Sequence, residues 1–131
     1  MALVLDTSIL IDIERKTRET VKSLEEISKN HFLPPRITFI NYFEFYEGII
    51  EKNIKNKSVL MVFVNKFMCL RASSRTAEIL ANLRHKYGKK GITFGLADLI
   101  IAAQVIENNA TLVTKDNIFE KIEELNKIIL K

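Results

Sequence analysis

Cysteine occurs once in this chain, at Cys69, so no disulfide can form within it. That fits a reducing compartment, and a cytoplasmic protein is expected. Cys69 lies in the apolar run Phe67-Met68-Cys69-Leu70, which predicts a buried, inert thiol. Proline is scarce as well: Pro34 and Pro35 are the only two and are adjacent, and there are just four glycines. Loops should therefore be short. No apolar run approaches the ~18 residues of a membrane span, Val59–Val64 and Leu99–Ala103 being too short, so no membrane association is expected. The first residues lack the basic and apolar segments of a leader. His31 and His85 are isolated, without the paired spacing of a zinc site, and both read as surface or loop residues. A Gly-x-x-x-x-Gly-Lys phosphate loop and a dinucleotide fingerprint are also missing.

The 131 residues suit one domain, with no second independent core. At 47% hydrophobic and 27% charged, the chain has the composition of a packed globular domain and not of a disordered one. The net charge of +4 is compatible with binding a polyanion but is ordinary in size.

The organising stretch is Leu3-Val4-Leu5-Asp6-Thr7-Ser8-Ile9-Leu10. Its apolar start reads as a strand buried on both faces. Thr7 or Ser8 can cap a following helix, whose apolar positions are Ile9, Leu10 and Ile13. Asp6 then stands at the carboxyl end of a buried strand, the edge where open α/β sheets bind ligands. After a charged break at residues 15–19, Val21, Leu24 and Ile27 form a helical stripe, which Pro34 and Pro35 terminate. Arg36–Ile40 alternates like a strand and leads into a helix from Asn41 to about Lys52. A polar hinge, a helix over Val59–Phe67, a strand over Met68–Leu70 and a Ser-capped helix ending at Tyr87 follow. The last third predicts a helix over Leu96–Asn108, a strand over Thr111–Thr114, a short helix over Ile118–Ile122 and an edge strand over Lys127–Leu130. Strands alternating with helices imply a mainly parallel sheet covered on both sides.

Four acids follow or interrupt apolar segments near strand-to-helix junctions: Asp6, Glu44, Asp98 and Asp116. Asp98 is the oddest, with apolar neighbours on both sides, and a nearly buried acid is rarely unpaired. Carboxylates that converge repel one another unless a cation neutralises them. Oxygen-only ligands select hard cations such as Mg²⁺ or Mn²⁺, which can activate a water for attack on phosphate. Each acid also has a purely structural reading. Glu44 can complete a capping box with Asn41, Asp116 can be an N-cap, Asp98 can be a first-turn residue favoured by the helix dipole, and Asp6 can be a turn residue.

The chain resembles the PIN-domain nucleases, most closely the VapC-type toxins of prokaryotic toxin–antitoxin pairs. Leu5-Asp6-Thr7-Ser8-Ile9-Leu10-Ile11-Asp12 is similar to the opening motif of that family. Thr38 through Glu44 to Gly48 resembles the second motif. Asp98-Leu99-Ile100-Ile101-Ala102-Ala103 resembles the third, and Thr111-Leu112-Val113-Thr114-Lys115-Asp116 with Phe119 resembles the fourth. The resemblance spans essentially the whole chain. It implies a three-layer α/β/α domain of PIN type and a divalent-metal-dependent endoribonuclease. Asp6, Glu44, Asp98 and Asp116 would bind Mg²⁺ or Mn²⁺, and Thr7 or Ser8 would orient the water or the scissile phosphate. An antitoxin protein and a second copy of the chain are the implied partners, with RNA as substrate. Many relatives carry a further acid two residues before the third-motif aspartate. Leu96 stands there instead, which leaves Asp116 as the fourth ligand and argues against tight binding of a second ion.

Two basic clusters, Lys52/Lys55/Lys57 and Arg84/Lys86/Lys89/Lys90, read as solvated faces or as contacts to an RNA backbone. Lys115, beside Asp116, is better placed to meet a substrate phosphate. Tyr42, Tyr46, Ile50 and Val59–Phe67 hold more apolar surface than one small domain buries, which predicts a homodimer. An aspartyl phosphatase would want a second Asp where Ser8 stands. A phospho-accepting signalling domain would want an aspartate ending a middle strand, which Met68-Cys69-Leu70-Arg71 lacks. An RNA-processing nuclease without an antitoxin, and a scaffold without catalysis, remain as other readings of the same pattern.

Overall fold

The computed structural model describes all 131 residues. Five strands form one sheet in the order β3-β2-β1-β4-β5, and every neighbouring pair is parallel. They are β1 (Leu3–Leu5), β2 (Arg36–Thr38), β3 (Met68–Leu70), β4 (Thr111–Thr114) and β5 (Lys127–Ile129). Between them run α1 (Thr7–Glu14), α2 (Arg18–Ser28), α3 (Phe39–Glu51), α4 (Lys57–Val64), α5 (Ser74–Lys89) and α6 (Leu96–Glu107). A short 3-10 helix, Asn117–Lys121, joins β4 to β5. No helix is long and apolar enough to cross a membrane.

The three layers follow from the alternation of the strands. Leu3 and Leu5 of β1 point to one face, where Ile9 and Leu10 of α1, Phe45 and Ile49 of α3, and Leu60 and Val64 of α4 pack. Val4 points to the other, onto Leu83 and Tyr87 of α5 and Leu99, Ala102 and Val105 of α6. β4 divides in the same way, with Leu112 on the second face and Val113 on the first. A strand covered on both sides must be apolar throughout, and β1 and β4 are fully buried.

Several boundaries differ from the sequence expectation for local reasons. β2 ends at Thr38, not Ile40, because Thr38 caps α3: its Oγ1 accepts from Asn41 N at 3.1 Å, and Asn41 Oδ1 accepts from Thr38 N at 3.0 Å. The capping box is therefore Thr38 with Asn41, and Glu44 has no part in it. Asp6 itself, rather than Thr7 or Ser8, caps α1, accepting from Thr7 N at 2.9 Å. The charged break after α1 is shorter than expected, since Lys16 takes a left-handed φ of 58° and lets α2 start at Arg18. α4 begins at Lys57 and stops at Val64, two to three residues ahead of the predicted span.

Candidate metal-binding carboxylate site

Parallel strands leave a crevice where connections depart in opposite directions, and here that point lies between β1 and β4. β1 continues to β2 on one side, while β4 occupies the other. Asp6 follows β1, and its backbone N–H donates to Val113 O of β4 at 2.9 Å. Lys115 and Asp116 follow β4. α3 brings Glu44, and the first turn of α6 brings Asp98. An open cavity of about 290 Å³ is lined by Asp6, Thr7, Ser8, Glu44, Asp98, Ile101, Lys115 and Asp116. All six residues named from the sequence, from four separate segments, thus share one cavity.

The acids are held differently. Asp6 is 8% exposed and takes three hydrogen bonds. Its Oδ1 accepts from Thr7 N and from Asn41 Nδ2 at 3.0 Å, and its Oδ2 accepts from Thr114 Oγ1 at 2.6 Å. Thr114 Oγ1 in turn accepts from Asp116 N at 3.0 Å, linking the two carboxylate-bearing turns. Glu44 Oε1 accepts from Thr7 Oγ1 at 2.6 Å, and Thr7 Oγ1 accepts from Asn41 Nδ2 at 3.1 Å. Asp116 Oδ1 accepts from Ile118 N at 3.0 Å, so its capping role is real and coexists with its place in the cavity. Ser8 Oγ is buried without a hydrogen-bond partner.

Burial raises the pKa of Asp6 against the lowering effect of its three donors, and the nearby charge of Asp116 adds to the rise. Burial likewise raises Glu44, assisted by Asp6 and Asp98 and opposed by the Thr7 bond. Asp98 is raised by burial, by Asp116 and by Asp6, and no hydrogen bond offsets them. The acids therefore sense one another's charge, a condition that a divalent cation relieves. No three of them stand close enough, as placed, to hold one ion together. Asp6 is turned to its three donors and Glu44 to Thr7. The donor set, carboxylate oxygens alone, suits hard divalent cations such as Mg²⁺ or Mn²⁺.

These shifts set a pH dependence. An acid whose folded pKa is raised binds protons more tightly in the folded state, so stability falls as pH rises through the window above its ordinary value. For Asp6 and Asp98 that window opens at 3.8, and for Glu44 at 4.5. Asp12 shows the opposite sign. Burial works against its charge, but bonds from Lys115 and Thr20 carry its pKa below the ordinary value, so its contribution is lost only at lower pH. With chelator present, thermal melts should accordingly show the contribution of these three acids falling as pH rises above their ordinary values of 3.8 and 4.5. A melting temperature that rises steadily through that window would contradict the charge crowding described here.

Sequence reasoning missed Asn41, Thr38 and Thr114 as parts of the site. Asn41 is fully buried and joins Asp6, Thr7 and Thr38. The available signal was a Thr ending each of the two strands flanking β1. Lys115 does not stand free to meet a phosphate: its ammonium is paired with Asp12. Of the basic cluster on α5, Lys86 pairs with Glu124 at 3.0 Å and Lys90 with Glu123 at 3.2 Å, which assigns those two to the protein's own acids. His31 lies in a loop, its Nδ1 3.2 Å from Met1 O, whereas His85 is exposed on α5. Cys69 is half-buried, and burial pushes its thiol pKa up, in keeping with an inert group.

With the crevice and its acids in place, comparison with known proteins defines the class. The model of the PIN domain matches residues 3–125, and the chain belongs to the PIN-domain family. Ribonuclease VapC2 of Rickettsia felis is 26% identical over 132 aligned positions, covering 100% of this chain and 97% of that protein. Ribonuclease VapC3 of Methanocaldococcus jannaschii is 27% identical over 103 positions, 79% of this chain and 97% of that protein. In solved structures, the fold matches VapBC2 of Rickettsia felis bound to a promoter DNA fragment, with a TM-score of 0.81, 26% identity and full coverage of both chains. VapBC-1 of nontypeable Haemophilus influenzae shares the fold with a TM-score of 0.80 at 21% identity, covering 98% of each chain. The three-layer architecture and the family resemblance read from the motifs are both borne out.

Proposed function

We propose that this protein is a divalent-metal-dependent endoribonuclease, the VapC-type toxin of a toxin–antitoxin pair. The observation that carries the proposal is the gathering of Asp6, Glu44, Asp98 and Asp116 around one cavity at the crevice between β1 and β4. The names of the related ribonucleases support RNA as substrate, and the VapBC complexes among similar structures support an antitoxin as partner. Mg²⁺ or Mn²⁺, when bound, neutralises phosphate charge and makes water a stronger nucleophile. In this reading Asp6, Glu44, Asp98 and Asp116 would hold the ion, their side chains turning toward it from the more separate positions described above. Asn41 and Thr114 keep the Asp6 carboxylate in one orientation, and Thr7 couples Glu44 to Asn41. Thr7 or Ser8, which both line the cavity, would orient the water or the scissile phosphate. The purified chain should cut RNA in Mg²⁺ or Mn²⁺ and stop when a chelator is added. Cleavage that persists in chelator refutes the metal-dependent reading.

A homodimer is the second part of the proposal. Tyr42 and Tyr46 are half-buried, with Tyr46 stacked under Lys57, and Leu60 and Val64 are in the core. The apolar surface that remains is Phe43 and Ile50 on α3 and Val59 and Val62 on α4, each more than half exposed. Light scattering at micromolar concentration should return twice the chain's mass. A clean monomer mass would remove the homodimer and leave that face to another partner.

A further inference from the structure

One lysine lines the cavity, Lys115, and its ammonium does not pair with the cavity's acids. Lys115 is next in the chain to Asp116 and lies among Asp6, Glu44 and Asp98. Its Nζ is instead paired with Asp12 Oδ2, and none of the four acids forms an ion pair with it. By charge alone the cluster should attract the ammonium more strongly than a single carboxylate does.

Asp12 prevails because it is built into place. It projects from the second turn of α1, is only 15% exposed in its side chain, and its Oδ2 also accepts from Thr20 Oγ1 at 2.6 Å. Thr20 is buried at 3% exposure on α2. The Asp12 backbone oxygen accepts from Thr17 N at 2.8 Å, which fixes the turn between the two helices. A carboxylate on α1, braced by α2, thus draws a lysine that follows β4 away from the acids beside it.

We propose that Asp12 is a positioning residue that holds the Lys115 ammonium off the four-acid cluster, leaving the charge of that cluster available to a divalent cation. The inference rests on the metal-dependent reading above. An ammonium released into the cavity competes with the ion for the same oxygens, because both are drawn by the same charge.

Mn²⁺ binding to the full chain, measured by calorimetry without RNA, tests this. Asp12→Asn keeps an acceptor oxygen for Thr20 but loses the charge that retains Lys115. Its Mn²⁺ dissociation constant should rise by about tenfold, the scale of one unit charge brought within a few ångströms of a partly solvated site. Asp12→Asn/Lys115→Met should bring the constant back to within about threefold of the parent, since the competing ammonium is gone. Lys115→Met alone should also stay within about threefold, because Lys115 is already held away. Equal loss in the single and double Asp12 variants would make Asp12 a purely structural residue and overturn the inference. So would unchanged affinity in Asp12→Asn, or a large gain of affinity in Lys115→Met. A large gain of affinity in Lys115→Met overturns the inference even if Asp12→Asn does not fold. A parent chain that binds no Mn²⁺ overturns the metal reading and this inference together, whereas the preceding outcomes overturn this inference alone.

Discussion

Asp98→Asn is expected to lower RNA cleavage by at least about a hundredfold, the scale of losing one key electrostatic group in an active site. Asp98 faces the cavity from the first turn of α6, where the helix dipole favours its charge. It differs from Asp6 and Glu44 in taking no hydrogen bond that would lower its pKa, so the substitution removes a charge and breaks nothing else. The same variant should be at least as stable as the parent in chelator, because its charge is opposed there by burial, Asp116 and Asp6. Loss of activity with stability kept is a combination that a helix-terminal role does not produce. Cleavage at the parental rate by Asp98→Asn would dismiss the proposed site.

Saturating Mn²⁺ is expected to raise the melting temperature of the parent by about ten degrees, and Asp6→Asn should abolish most of that rise. An ion present at about a hundred times its dissociation constant stabilises the folded state by about 2.7 kcal/mol. For a domain of this size that corresponds to about ten degrees. The effect of Asp6→Asn in chelator is a balance. Asparagine is an equally good N-cap, so the bonds from Thr7 N and Asn41 Nδ2 can persist. The charged bond from Thr114 Oγ1 is lost, while the repulsion from Asp116 is relieved. The metal-free variant should therefore melt close to the parent, and Asp98→Asn, with no such bond to lose, should melt higher than Asp6→Asn. A Mn²⁺ shift of the same size in the parent and in Asp6→Asn would exclude Asp6 from the metal site.

Much of this site was visible in the chain because its acids interrupt apolar segments. A carboxylate directly after Leu3-Val4-Leu5, or amid Leu96–Ala103, has few structural explanations, and order and spacing supplied the rest. Glu44 was more ambiguous, since Asn41 three residues earlier offered a capping box. The packing resolved it: Asn41 serves Thr38 and Asp6, which leaves Glu44 to Thr7. The strand end at Thr38 was misplaced for the same reason, because an alternating β-branched pattern does not show where a side chain will turn back to cap the next helix.

Hydrophobic periodicity and the sparsity of Gly and Pro determined on their own the alternation of strands and helices, the parallel sheet and the positions of the four acids. These are local properties, fixed by which faces each segment must bury. Tertiary structure alone decided which polar groups meet. Asn41, Thr114 and Asp6 come from three segments, 35 and 108 residues apart from Asp6, and only the order β2-β1-β4 brings them together. The pairing of Lys115 with Asp12 is of the same kind. Its neighbour in the chain is Asp116, but the register of β4 beside β1 and the bracing of α1 by Thr20 give it a different partner. Electrostatic partnership depends on distance in space, and distance along the chain does not predict it.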